Sequence, residues 1–183
     1  MRKVSPEIPT TEPRLPEKVY DQIMAKGEKL KGFKRKLFDH AVALSMQYDP
    51  CNGNSAWYRW QLSLMSRLVF SKWREALGGR MRVIVSGGAA LQPYLVRIFA
   101  SAGIPVLDGC GLTGVSPVIA VNTLEPGGMM PGTVGKVITD VQIRISENGE
   151  FWQRAKCDGG LLQGPGLTAM AIDDEGWFHT TTK

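Results

Sequence analysis

The stretch "PVLDGCGLTGVSPVIAVN", residues 105–122, decides how this chain is to be read. Within it Gly109-Cys110-Gly111-Leu112-Thr113-Gly114 spells G-x-G-x-x-G after a short apolar run. In a dinucleotide-binding fold the third glycine opens a helix whose N-terminus meets the pyrophosphate. Here Gly114 leads into Val115-Ser116-Pro117-Val118-Ile119, and the β-branched run beyond Pro117 favours a strand. The acidic residue expected about 20 positions further on is missing, and Asp108 lies on the wrong side of the glycines to replace it. The dinucleotide reading fails on its context.

Immediately upstream, "MRVIVSGGAALQPYLVRIFASAGIPVLDGCG" reads as strand, tight glycine turn, helix and strand. Val83-Ile84-Val85 is a β-branched run, Pro93 suits a first helical turn, Gly103 suits a helix end, and Val106-Leu107 is a second buried strand. A strand pair joined by one short helix is a βαβ unit, so a parallel sheet is expected. Further upstream the pattern is helical. Leu30, Phe33, Leu37, Ala41 and Leu44 recur at three and four residues within a helix expected over residues 17–47, which Gly27 and Gly32 weaken and divide. A second helix is expected over residues 56–77, stopped by Gly78-Gly79. Its apolar positions, among them Trp57, Trp60 and Trp73, spread over more than one side. The four prolines at 6, 9, 13 and 16 predict an extended, loop-like entry.

Downstream of Asn122 the chain turns β-rich, with Val141, Ile143 and Ile145 alternating with polar residues and Asn148-Gly149 signalling a hairpin. "AIDDEGWFHT", residues 171–180, reads as a turn into a short strand. The expected class is therefore α/β, with two N-terminal helical segments, a βαβ parallel-sheet unit and a β-rich C-terminal part. The segments are 17–80 helical, 81–122 βαβ and 123–183 β-rich, within one partial domain over 1–183.

Other chemistries lack their residues. "GTVGKV" has a Gly-Lys, yet Met130 and Val137 occupy the first-glycine and Ser/Thr places of a phosphate loop. Cys51, Cys110 and Cys157 are scattered and odd in number, which suggests neither a zinc site nor a disulfide framework. His40 and His179 have no evident catalytic partners and are expected to be structural. Residues 1–80 carry 15 Lys+Arg against 8 Asp+Glu, and residues 81–183 carry 7 against 9. The excess centres on "KGEKLKGFKRK", residues 26–36, read as a solvated helix face. An anionic-membrane patch is the other option. Phe33 alone interleaves these charges, fewer aromatic residues than nucleic-acid stacking would need, so no nucleic acid is expected. The N-terminal stretch has no apolar h-region of a signal peptide and no run approaches the ~18 apolar residues of a membrane span. The expected compartment is the cytoplasm, with a peripheral membrane contact as an addition.

Four ordered segments resemble the AMP-forming acyl-CoA synthetases of the adenylate-forming superfamily. "SGGAAL" (residues 86–91) resembles that family's adenine-contacting strand and turn, and "DGCGLTGVSPVIAVN" (residues 108–122) its glycine-rich adenylate motif. "GTVGKV" (residues 132–137) and "DDEGWFHT" (residues 173–180) resemble its two later signatures. "PRLPEKVYDQIMAKGEKLKGFKRK" and "FSKWREALGG" are similar to the long-chain fatty-acid branch. The resemblance implies part of the large N-terminal domain of a fatty-acid–CoA ligase, which uses ATP, Mg²⁺, a fatty acid and CoA to give acyl-CoA, AMP and pyrophosphate.

The resemblance also implies roles. Gly88 and Ala89 would line adenine through their backbone, and Thr113 would hydrogen-bond the α-phosphate. Asp108, Cys110, Gly111 and Thr182 would complete the nucleotide site. Gly114 stands where the family has the glutamate that holds Mg²⁺, and glycine offers no metal ligand. Cys110 stands where an aromatic ring stacks on adenine, and Thr182 where an aspartate clamps the ribose. No Ser/Thr/Gly-rich phosphate loop or catalytic lysine of the family is recognised. The expectation is an internal slice of a ligase, truncated or decayed and inactive alone, with no intact catalytic or metal site. The alternative is a non-catalytic acyl- or nucleotide-binding module derived from that family, and self-association through exposed apolar surface is a further expectation.

Overall fold

The computed structural model describes residues 7–51, 53–111, 118–154, 172, 173 and 175–180. Two compact units emerge, one built from Met1–Gly109 with Asn122–Gly135 and one from Cys110–Val121 with Lys136–Lys183.

The first unit begins with β1 (Thr10–Thr11), a strand in what the prolines predicted as a loop. It pairs in parallel with β2 (Ile84–Gly87), Thr10 opposite Val85 and Thr11 opposite Ser86. Helix α1 (Arg14–Glu28) starts earlier than expected and takes Pro16 into its first turn, where a missing N–H costs nothing. Helix α2 (Phe33–Met46) follows Gly32, whose φ of 59° lets the chain reverse. The single expected helix is thus two, divided near the glycines as predicted. Gly27 has a second task. A Cβ there would fall inside the Phe38 ring, so the glycine lets α1 and α2 close on each other.

The next rod comprises α3 (Ala56–Met65), a π turn (Ser66–Phe70) and α4 (Ser71–Ala76). Ser55 caps α3 by accepting from the Tyr58 N–H at 3.3 Å. Arg74 fastens the rod to the following helix, donating from Nη1 to the Ala102 carbonyl at 2.7 Å and from Nη2 to the Ser66 carbonyl at 3.2 Å. A cation at the carbonyl end of a helix also meets the negative end of its dipole. Met65, Val69 and Trp73 enter the core beside Phe38, whereas Trp57 and Trp60 stack on each other at 5.1 Å and stand 67% and 58% exposed. Trp73 therefore lies on a different side of the rod from Trp57 and Trp60, as the spread of apolar positions implied.

The βαβ unit forms as expected. Helix α5 (Pro93–Ser101) opens on its proline and ends before Gly103, at φ 78°. Strand β3 (Val106–Cys110) runs parallel to β2, pairing Ile84 with Val106, Val85 with Leu107, Ser86 with Asp108 and Gly87 with Gly109. Leu95, Phe99, Ile104 and Val106 fill the core beneath these strands.

In the second unit β4 (Ala120–Val121) pairs antiparallel with β5 (Lys136–Val137). Strands β6 (Gln142–Ile145), β7 (Phe151–Arg154) and β8 (Phe178–His179) make an antiparallel meander. The Asn148-Gly149 hairpin forms, with Gly149 at φ 78° and the Ser146 N–H reaching the Glu150 carbonyl at 2.9 Å. The alternation of Ile143 and Ile145 does not mark a buried face, since Ile145 is 70% exposed. Among the described residues no helix is long and apolar enough to cross a membrane.

Candidate nucleotide site at the strand ends

Side chains at alternate positions of a strand share a face, and in-register neighbours extend that face across the sheet. Ile84 and Val106 thereby pack into the core, and one step of the pleat further on Ser86 sits beside Asp108. Both polar residues are buried, Ser86 completely. Among the described residues Ser86 Oγ and Asp108 Oδ1 have no hydrogen-bond partner, although buried polar atoms ordinarily find one. The other carboxylate oxygen, Oδ2, accepts from the Leu91 N–H at 3.2 Å. Burial pushes the Asp108 carboxyl above the ordinary carboxylate range, opposed by the Leu91 and Gly109 backbone N–H groups.

These orphaned atoms lie at the carboxyl ends of two adjacent parallel strands, the place where open α/β sheets bind ligands. The turn that follows β2 is built for close approach. Gly87 and Gly109 face each other, and a Cβ on Gly87 would meet the Gly109 carbonyl oxygen at 3.4 Å. Gly88 has φ 87° with open space where a Cβ would point, and Gly88 and Ala89 are exposed. A flat ligand could therefore lie against this backbone.

Asn122 locks the site, and nothing in the local sequence announced it. Its backbone N–H and side-chain Nδ2 both donate to the Asp108 carbonyl, at 3.0 and 3.2 Å. Nδ2 also donates to the Thr133 carbonyl at 2.6 Å, while Oδ1 accepts from the Met130 N–H at 3.1 Å. One buried amide thus ties the end of the glycine-rich stretch to the start of "GTVGKV". The latter turn then packs on α5, where a Cβ at Gly132 would meet Pro93 Cγ at 3.3 Å.

The described part of the site thus brings together Ser86, Gly88, Asp108 and, through Asn122, Thr133. Cys110, at the end of β3, is half-buried with a free thiol, and its carbonyl accepts from the Ile119 N–H at 2.8 Å. Gly111 is exposed. Thr113, Gly114, Thr182 and Cys157 lie outside the described residues. Among those described, no group of three His, Cys, Asp or Glu is placed to hold a metal ion.

In the second unit "DDEGWFHT" folds around Asp173, which accepts from the Glu175 N–H at 3.0 Å and the Trp177 N–H at 2.8 Å. His179 Nε2 lies 3.0 Å from Asp173 Oδ2, and its ring sits 4.1 Å from that of Trp152. The histidine has an acidic partner that the sequence did not reveal. The bond from His179, then those from the backbone, hold the Asp173 carboxyl below its ordinary range.

A sequence model of the AMP-binding enzyme family matches residues 15–163. The chain belongs to that family. Long-chain-fatty-acid–CoA ligase FadD15 of Mycobacterium tuberculosis is 32% identical over 179 residues, covering 96% of this chain and 29% of that protein. Long-chain-fatty-acid–CoA ligase 4 of Saccharomyces cerevisiae is 30% identical over 176 residues, covering 90% of this chain and 24% of that protein. The chain thus spans less than a third of the length of these relatives.

Proposed function

We propose that this chain is the part of a long-chain fatty-acid–CoA ligase that carries the adenine side of the nucleotide site. The whole enzyme would join ATP and a fatty acid into an acyl-adenylate with loss of pyrophosphate, and then pass the acyl group to CoA. The observation that carries the reading is the pair of orphaned buried oxygens, Ser86 Oγ and Asp108 Oδ1, beside the open Gly88 turn. Their partners would come from the bound nucleotide or from water held with it. In this reading Gly88 and Ala89 contact adenine through backbone, Asp108, Cys110 and Gly111 border it, Thr113 donates to the α-phosphate, and Thr182 approaches the ribose. Mg²⁺, where bound, would neutralise phosphate charge.

Gly114 and Cys110 favour a second reading of the same site. A glycine in the place of a metal-holding glutamate weakens phosphoryl-transfer chemistry, and a thiol cannot stack on adenine. The chain would then bind acyl or nucleotide groups without activating them, with no catalytic residue of its own. A cytoplasmic setting fits both readings.

Calorimetry with a non-hydrolysable acyl-adenylate analogue and Mg²⁺ tests this, comparing the wild type with Gly114→Glu. Saturable binding by the wild type supports a nucleotide site, and tighter, magnesium-linked binding by the variant assigns the metal position to residue 114. A folded chain that binds in neither form refutes both readings.

A further inference from the structure

The rod of α3, the π turn and α4 carries apolar residues on two sides. One side puts Met65, Val69 and Trp73 into the core. The other presents Trp57, Trp60, Leu64 and Leu68, spaced by three and four residues and so aligned along one face. All four side chains are exposed, and the two indoles stack at the start of the strip. The strip is about 16 Å long, three turns of helix at roughly 1.5 Å per residue. It does not end in a polar rim. Leu68 also lines a recess of about 630 Å³ between α1, α2 and α4, together with Leu30 and Phe33, the latter 78% exposed. The apolar surface is therefore extended along the rod and concave at its end. Contiguous apolar exposure of this kind marks a surface that something else covers.

The charge carried by the same elements has one sign. Residues 26–36 and 56–76 supply the strip and most of the recess, and they carry ten Lys+Arg against two Asp+Glu. Arg35 is paired with Asp39. Lys26, Lys34 and Lys72, each exposed and each from a different helix, form no ion pair among the described residues. A summed field of this kind acts over the whole face and requires no two ammonium groups to touch.

We propose that this face docks an amphipathic helix of a partner protein. The apolar stripe of that helix lies on the Trp57–Leu68 strip, one bulky apolar side chain enters the recess, and acidic residues run along its flanks. Helices bind grooves in this way, through anchors at three- and four-residue spacing. A bilayer is flat and would leave the recess unfilled. A nucleic acid would answer the charge but not the strip. A second copy of the chain would answer the strip but would bring the same positive charge against it. Pairing of copies is therefore favoured by salt, whereas docking of an acidic helix is weakened by it.

The test uses the full chain, held below the concentration at which copies pair. The probe is a fluorescent peptide of about 18 residues, five turns of helix, with Leu and Phe at helical spacing and Glu on both flanks. A counterpart with Lys in place of every Glu is run beside it, as are vesicles of phosphatidylglycerol in phosphatidylcholine. Anisotropy should show saturable, one-to-one binding of the Glu peptide that weakens as salt rises. The Lys peptide should bind at least about tenfold more weakly. Trp60→Ser with Leu64→Ser should weaken the Glu peptide about tenfold or more, without altering the unfolding transition, since both side chains are exposed. Lys26→Glu, Lys34→Glu and Lys72→Glu together should turn the preference toward the Lys peptide. Failure to bind the Glu peptide, equal binding of both peptides, or undiminished binding after the Trp60 and Leu64 changes would overturn the proposal. So would binding to the anionic vesicles in place of the peptide, which would assign the face to a lipid surface.

Discussion

Burial holds the Asp108 carboxyl above its ordinary range even though two backbone N–H groups pull it down. The folded state therefore favours the protonated side chain. Whatever stability this supplies is present in full below the unfolded carboxylate range and is lost as pH rises through the folded value. Asp108→Asn keeps an acceptor for the Leu91 N–H and removes the buried charge. Its thermal midpoint should exceed that of the wild type at pH 7, and the gap should narrow toward pH 4 in a pH series of melts. At Gly27 the decisive fact is contact. A methyl group there must displace the ring of Phe38, which is buried and has little freedom to move. Overpacking of this kind costs about 1–3 kcal/mol, more than the ~1 kcal/mol by which alanine favours a helix over glycine. Gly27→Ala should lower the urea midpoint, and adding Phe38→Leu should restore part of the loss, a coupling that a double-mutant cycle reads directly.

Among the elements, the connection from β3 to the "GTVGKV" turn depends on one amide. Asn122→Ala would strand the Thr133 carbonyl and the Met130 N–H. These bonds are part-buried and water can replace the lost partner, so each is worth about 0.5–1.5 kcal/mol net, and denaturant titration should show a loss of that order or more. Asn122→Asp should be worse, because a carboxylate cannot donate to the two carbonyls and sets a negative charge against their oxygens. The βαβ unit was legible in the sequence because its signals are local: β-branched runs, Pro93 at a helix start and Gly103 at a helix end. Asn122 was not legible, because its partners are set by a fold in which the chain returns to β3. Ile143 and Ile145 announced strand β6, since alternation reports a strand, but not which face another element covers. Strand β1 has two residues, too few for any period to register. The π turn also escaped detection. An extra residue in one helical turn offsets the faces on either side of it. The recognisable motifs fell on the candidate site, while the part played by Asn122, the last residue of one of them, is set by distant partners and not by the motif.

At the scale of the molecule, the stacked Trp57–Trp60 pair with Leu64 and Leu68 forms an apolar strip on the rod. Clustered aromatic and aliphatic exposure of this kind favours association. Sedimentation velocity should show a concentration-dependent mass for the wild type that a Trp57→Ser/Trp60→Ser variant loses, with unfolding unaltered because neither ring is in the core. The division of the chain has a different consequence. The first unit is written in two pieces, Met1–Gly109 and then Asn122–Gly135, with a length of the second unit's chain between them. A ribosome releases these pieces in order. The helices and β1–β3 emerge first and can pack at once, yet the Asp108 carbonyl waits for Asn122, and Asn122 for Met130 and Thr133. During that interval the end of β3 is an open strand end in a nascent chain, exposed to whatever is near it. The candidate ligand site is thus among the last places in its unit to be closed.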